Sequence, residues 1–278
     1  MPLQFCVNGK FLDEREANVS VMDHGFLYSD GFYDTMRTYS GVVLELELHL
    51  DRIEHYAEMT GIPLIWGRRK VSRWIQETIQ RNHLREARVR VTLTRGVNHF
   101  DFIRCKRPTL TIICEELTIN TTIYKGVSAS TMKLQRIYPE VKTIGITGTI
   151  LAYRKAAKTR DFEMIFIGDR NMVREGAGSN VFIVKKGILY TPVRAILKGL
   201  TRRRVIALAK KSTLPVRMKD FSERSLGQAD EIFVTNGLWE LVPIVRLNGK
   251  KVGKGQVGPV TRRMMAAYRE YVAEQTQH

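Results

Sequence analysis

No apolar run in the 278-residue chain approaches the ~20 residues that a membrane-spanning helix needs, so a membrane protein is not expected. The N-terminus, Met1-Pro2-Leu3-Gln4-Phe5-Cys6, lacks a charged segment followed by an apolar stretch, and no secretory signal is expected. Cysteine is scarce. Cys6, Cys105 and Cys114 form no CxxC pair, which argues against a disulfide framework or a zinc site and suits a reducing, cytoplasmic compartment. Acid is short as well: 28 Asp and Glu stand against 45 Lys and Arg, a formal net charge of +17. Basic clusters at Arg68-Arg69-Lys70, Arg202-Arg203-Arg204, Lys210-Lys211, Lys250-Lys251 and Arg262-Arg263 raise the question of nucleic acid. They are spread along the chain and lack the aromatic signature of RNA-binding modules, so nucleic-acid binding is not expected as the main function. A basic enzyme that attracts anionic ligands satisfies the same composition.

What is present is globular. Hydrophobic residues make up 44% of the chain, enough for one large domain or two of ordinary size. Asn8-Gly9 predicts a hairpin within Phe5 to Phe11. Val42 to Leu48 alternates and predicts a strand. Helices are predicted over Leu50 to Met59 and Val71 to Asn82, and strands over Arg88 to Thr94 and Thr109 to Cys114. Glu115 to Gly126 is polar and rich in Thr and Asn, so a linker is placed at 117–126, between an N-terminal α+β domain (1–116) and a C-terminal one (127–278). In the second half, strands are predicted over Val127 to Lys133, Met164 to Ile167, Asn180 to Val184, Ile188 to Tyr190 and Glu231 to Thr235. Helices are predicted over Ile146 to Thr159, Leu200 to Lys211 and Pro259 to Val272.

Several common chemistries find no motif. The chain has no HExxH, no GxxxxGK[ST] and no GxSxG. Gly176-Ala177-Gly178 is not followed by glycine at the dinucleotide spacing, and His49 and His55 are six residues apart, the wrong interval for two ligands on one helical face. These rules alone reach a soluble two-lobed α+β protein, expected to be an enzyme.

A series of segments goes further. Asp23 to Asp34 (DHGFLYSDGFYD), His49-Leu50-Asp51-Arg52, Thr94-Arg95-Gly96, Val141-Lys142-Thr143, Arg174 to Phe182 (REGAGSNVF), Leu189 to Pro192, Lys198-Gly199-Leu200-Thr201-Arg202 and Ala229 to Phe233 follow one another in order. In that order they resemble the class IV aminotransferases, the pyridoxal 5'-phosphate (PLP) fold type IV family of branched-chain and D-amino acid aminotransferases and aminodeoxychorismate lyases. The resemblance runs from Asn8 to about Tyr268. It implies a two-domain α+β PLP fold type IV, PLP as cofactor, a homodimer, and ping-pong transfer of an amino group from an amino acid to a 2-oxo acid.

It also implies roles. PLP needs a lysine amine, and Lys142 matches that position. The pyridine nitrogen needs a carboxylate, and Glu175 matches. The 5'-phosphate needs a guanidinium and a helix N-terminus, which Arg52, Leu200 and Thr201 match. Asn236 and Gly237 fall on a second phosphate loop, where relatives usually carry a hydroxyl residue in place of Gly237. Tyr28, Tyr33 and Arg90 match substrate positions. Tyrosine at both of the first two places is a mixture of the branched-chain and D-amino acid patterns. Arg88 stands where branched-chain enzymes prefer tyrosine, and Thr147 where they often place another. Val97 to Phe102 lacks the arginine-plus-histidine carboxylate trap of D-amino acid enzymes. The expected substrate is an L-branched-chain amino acid, with a D-amino acid transaminase and then aminodeoxychorismate lyase as alternatives. From outside the family, a basic binding protein with an inactive pocket stays open.

Overall fold

The structure is a computed structural model that describes residues 2–276. The chain forms two compact units. One comprises the residues up to Thr118 together with Val141–Gly145, and the other comprises Ile119–Glu140 and the chain from Ile146 onward.

The first unit is a six-stranded antiparallel sheet with helices on one face. Its elements are β1 (Gln4–Val7), β2 (Lys10–Asp13), α1 (His24–Tyr28), β3 (Gly31–Tyr39), β4 (Val42–Val43), α2 (Leu46–Thr60), α3 (Arg68–Arg81), β5 (Ala87–Thr94) and β6 (Thr109–Glu116). The strand order is β2-β1-β6-β5-β3-β4. Asn8 and Gly9 both take positive φ in the two-residue turn that pairs Val7 with Lys10, as the hairpin signal requires. Along β5 and β6 the buried positions alternate: Ala87, Val89, Val91 and Leu93, then Leu110, Ile112 and Cys114. α2 buries Leu50, Ile53, Tyr56 and Ala57, and α3 buries Val71, Ile75, Thr78 and Ile79.

The strand expected over Val42 to Leu48 is only two residues long. Glu45 turns left-handed at φ 55°, and the chain from Leu46 enters α2, whose apolar face continues at helical spacing. The nine-residue β3 has no counterpart in the sequence reading. Its buried face alternates Phe32, Asp34, Met36 and Thr38, so half of it is polar and the usual apolar alternation is hidden.

The second unit contains β7 (Val127–Lys133), α4 (Thr147–Thr159), β8 (Glu163–Ile167), β9 (Val173–Gly176), β10 (Asn180–Lys185), β11 (Ile188–Thr191), α5 (Leu200–Lys211), β12 (Val216–Met218), α6 (Glu223–Gly227), β13 (Glu231–Asn236), β14 (Glu240–Leu247), β15 (Lys250–Lys251) and α7 (Pro259–Thr276). The sheet order is β12-β11-β10-β13-β14-β7-β8-β9, with β15 paired to β14. Val181, Ile183, Ile232, Val234, Val242 and Ile244 belong to its main core. Ala152 and Ala156 pack α4 against Met164 and Phe166. β14 was not expected, because Pro243 interrupts the run. The proline stands opposite Phe233, one residue before pairing with β7 begins at Ile244 and Val127, so its missing N–H falls at the start of that ladder.

Val141–Gly145 lies in sequence within the expected C-terminal domain, yet it is stitched to the first unit. Tyr33 N–H donates to the Lys142 carbonyl at 2.8 Å, and Ile144 N–H donates to the Gly31 carbonyl at 3.1 Å. Thr143 forms a bridge with Phe32. These five residues extend the start of β3 as an added edge. The stretch expected as a linker holds a 3-10 turn at Thr121–Lys125.

Candidate active site

In the first unit the reactive candidates gather on Tyr33. The Arg90 guanidinium carbon lies 3.7 Å from the centroid of its ring, and Lys142 Nζ lies 5.1 Å from it. Tyr33 and Arg90 stand on neighbouring strands, on the sheet face away from the core helices. Arg90 also donates from Nε to the Thr92 hydroxyl at 3.2 Å. Burial lowers the pKa of its guanidinium, and Arg88 adds to the effect while Tyr33 opposes it. The Tyr33 ring thus has an amine and a guanidinium within reach, two cationic groups that favour an anionic ligand.

Arg52 is held from behind. Its Nε donates to Asp34 at 2.9 Å, its Nη2 reaches the other oxygen of the same carboxylate, and His49 Nδ1 lies 3.2 Å from Asp34. Asp34 is fully buried. Burial pushes its carboxyl up, but Arg52 and His49 outweigh that and hold it well below the usual carboxylate range. A fork so anchored has one orientation.

Tyr28 sits at the end of α1, 43% exposed, edge-on to His24 at 4.9 Å and to Phe102 at 5.1 Å. The structure places it in this aromatic cluster rather than against Tyr33. The next residue, Ser29, approaches Gly145 beyond the lysine segment.

In the second unit the candidates form one hydrogen-bonded frame. Glu175 is buried; it accepts from the Leu197 N–H at 3.0 Å and lies 3.4 Å from Arg136 Nε. Arg136 also donates to the Ala177 carbonyl at 2.7 Å. Asn180 donates to the Leu197 carbonyl at 2.8 Å, and its amide oxygen occupies the space beside Gly199. Gly199 is the N-cap of α5 and supplies no side chain, so the first-turn N–H groups at Leu200 and Thr201 are available to an anion. Asn236 has its amide committed: Nδ2 donates to the Gly178 carbonyl and Oδ1 accepts from Leu238 N–H at 2.7 Å. It ties two loops together, and any ligand contact at Asn236 or Gly237 falls to the backbone. The neighbouring Thr235 hydroxyl is buried and has no partner among the described residues.

Glu163 braces this frame from below. It has no exposure, and its carboxylate accepts from the N–H groups of Met164 (2.9 Å), Ala177 (3.1 Å) and Gly178 (3.3 Å) and from the Ser179 hydroxyl (2.6 Å). The closeness explains the glycines. A Cβ on Gly176 would stand 2.2 Å from Ser179 Oγ and 2.7 Å from Glu163 Oε2. Gly176-Ala177-Gly178 is thus a turn compressed around a carboxylate and not a dinucleotide loop.

Sequence reasoning passed over Asp34, His49, Arg136, Glu163 and Asn180. Asp34, His49 and Asn180 lie inside motif segments already recognised, so their signal was there. Glu163 stands one residue before the strand expected over Met164 to Ile167 and carries no motif, and Arg136 carries no pattern of its own. Among the described residues no helix is long and apolar enough to cross a membrane, and no cluster of His, Cys, Asp and Glu could hold a metal ion.

Known proteins resemble the chain over most of its length. The family model described as amino-transferase class IV matches residues 31–247. A protein of Methanocaldococcus jannaschii named "Putative branched-chain-amino-acid aminotransferase" is 34% identical over 278 residues, with 96% of each chain covered. A D-alanine aminotransferase of Staphylococcus haemolyticus is 29% identical over 273 residues, again with 96% of each chain covered. The crystal structure of a branched-chain aminotransferase from Thermoproteus uzoniensis with norvaline is 25% identical and superposes with a TM-score of 0.91, covering 98% of this chain and 95% of the other.

Proposed function

The chain belongs to the class IV aminotransferase family, and on that premise we propose that it is a PLP-dependent transaminase moving the amino group of an L-branched-chain amino acid to a 2-oxo acid by a ping-pong mechanism. The donor set fits the cofactor: an amine at Lys142, a buried carboxylate at Glu175, an α5 N-terminus without a side-chain cap, and an orphaned buried hydroxyl at Thr235. When bound, PLP supplies an electron sink that acidifies the substrate's Cα–H.

Each residue then has a task its chemistry suits. Lys142 carries the cofactor and moves the α-proton. Glu175, braced by Leu197 N–H and Arg136, favours a protonated pyridine nitrogen. The N–H groups of Leu200 and Thr201, the Thr201 hydroxyl and Arg52 bind the phosphate dianion, with Asn236 and Gly237 contributing backbone. Arg90 takes the substrate carboxylate, and Tyr33 and Tyr28 shape the space for the substrate side chain. The observation that carries the reading is the gathering of Lys142 and Arg90 on the Tyr33 ring, which supports an amine for the proton and a cation for the carboxylate in the same unit.

The 34% identity to the Methanocaldococcus protein supports the branched-chain substrate. The staphylococcal D-alanine enzyme supports a second reading, a D-amino acid transaminase. We further propose a cytoplasmic homodimer. The exposed Phe26, Phe100, Phe102 and Ile103 support a partner surface on the first unit, and three free cysteines suit a reducing compartment.

The test is the visible spectrum of the PLP-loaded protein during addition of single amino acids. Bleaching of the yellow band by L-leucine or L-valine is the expected result. Bleaching only by D-alanine or D-glutamate would transfer the assignment to the D-amino acid reading, and a yellow protein indifferent to all four would point to the lyase.

A further inference from the structure

The +17 charge is not shared between the two units. The first holds 17 Lys and Arg against 16 Asp and Glu, a net of +1; the second holds 28 against 12, a net of +16. Of those twelve acids Glu163, Glu175, Glu231 and Glu240 are buried, so few acids remain on its surface to offset the bases. Four of the five basic clusters therefore lie on one folded body, with Arg68-Arg69-Lys70 alone on the other, the kind of asymmetry that marks a polyanion-binding surface.

Within the second unit, α5 and α7 together carry eight of the bases. They run antiparallel: Arg263 donates to the Ser212 carbonyl at one end, and the Arg204 guanidinium lies 4.0 Å over the Tyr271 ring at the other. Arg203, Lys210 and Lys211 on α5, and Arg262, Arg263 and Arg269 on α7, are exposed. None of these six forms an ion pair among the described residues, and the only acids on the two helices are Glu270 and Glu274, in the C-terminal half of α7. Neither helix exposes a large hydrophobic side chain. A membrane surface would be gripped by apolar wedges among the bases; a phosphodiester backbone needs only the charges and the bidentate geometry of arginine.

We propose that the α5–α7 surface of the second unit binds the phosphodiester backbone of nucleic acid without reading its sequence, as a property additional to transamination and independent of it. If about five phosphates are neutralised, log affinity falls against log salt with a slope of about −4.5, or about 500-fold weaker binding between 50 and 200 mM salt.

The experiment measures fluorescence anisotropy of a labelled 20-base-pair DNA duplex and the equivalent RNA with the PLP-loaded full chain, across that salt range. Two variants accompany it: Lys210→Gln/Lys211→Gln/Arg262→Gln/Arg269→Gln on the proposed surface, and Arg69→Gln/Lys70→Gln/Arg73→Gln/Arg85→Gln on the first unit. Retained transaminase turnover shows that each variant is folded. The expected result is salt-steep binding by the native chain, a loss of at least tenfold with a slope shallower by about 3 in the first variant, and little change in the second. Absence of duplex binding at 50 mM salt, or equal loss in both variants, would overturn the proposal. So would capture by phosphatidylserine vesicles without duplex binding, which would assign the surface to a membrane.

Discussion

Asp34→Ala leaves two cationic or hydrogen-bonding groups, Arg52 and His49, facing a buried space with no counter-charge. In the native chain that carboxylate is fully buried and takes both arms of Arg52 together with His49. Breaking a buried ion pair from one side costs about 3–5 kcal/mol, because the remaining charge stays desolvated. With a urea slope of about 2 kcal/mol/M, the unfolding midpoint of the first unit should fall by about 2 M. Trp66 and Trp74 both lie in that unit and report on it by fluorescence, measured on protein freed of cofactor. The double variant Asp34→Leu/Arg52→Met removes both charges and should recover most of the loss. The pH dependence has a definite sign. Asp34 is held below its unfolded range, so its contribution is fully present above about pH 5 and fades as pH falls below about 4. The gap between native and Asp34→Ala proteins should therefore shrink in acid. A single-variant cost under about 1 kcal/mol, or a double variant no better than the single, would refute the account.

Glu163 should behave in the opposite sense. Burial pushes its carboxyl up, only partly offset by Ser179 and the surrounding N–H groups, so native stability from this residue is present below the unfolded carboxylate range and lost as pH rises through the folded value. Glu163→Gln should thus gain relative to the native chain between pH 5 and pH 8 in urea midpoints, and parallel pH profiles would contradict the burial argument. Gly176→Ala forces a methyl group against Ser179 and Glu163 and should cost about 1–3 kcal/mol in the same assay, with Ser179→Ala relieving part of it; a neutral Gly176→Ala would show that the turn is looser than drawn.

Much of the architecture was legible because its signals are local. The Asn8-Gly9 hairpin, the β5 and β6 alternation and the α5 stripe depend on neighbours a few residues apart, and α5 falls at Leu200–Lys211 as its periodicity indicates. The fold type read from the ordered motifs is the one the chain has. The two long strands missed, β3 and β14, share one cause: residues that serve the site or the ladder in place of the apolar pattern. Asp34 and Thr38 occupy core positions of β3, and Pro243 sits inside β14. The same holds for the frame around Glu175. Arg136 meets Glu175 39 residues away in sequence and Glu163 meets the Ala177–Ser179 turn 14 to 16 residues away, and no periodicity encodes such a meeting.

The return of Val141–Gly145 to the first unit bears on how the protein is made. A nascent chain released as far as Thr118 has the six strands of its first sheet, but the start of β3 still lacks the partners for Tyr33 N–H and the Gly31 carbonyl. That unit closes only once synthesis has passed Gly145. By then β7 has also emerged, with its sheet neighbours β8 and β14 still unmade. The ribosome therefore cannot finish one half before beginning the other. A fragment ending at Thr118 should be a poor folder for a reason that no inspection of its own residues would disclose.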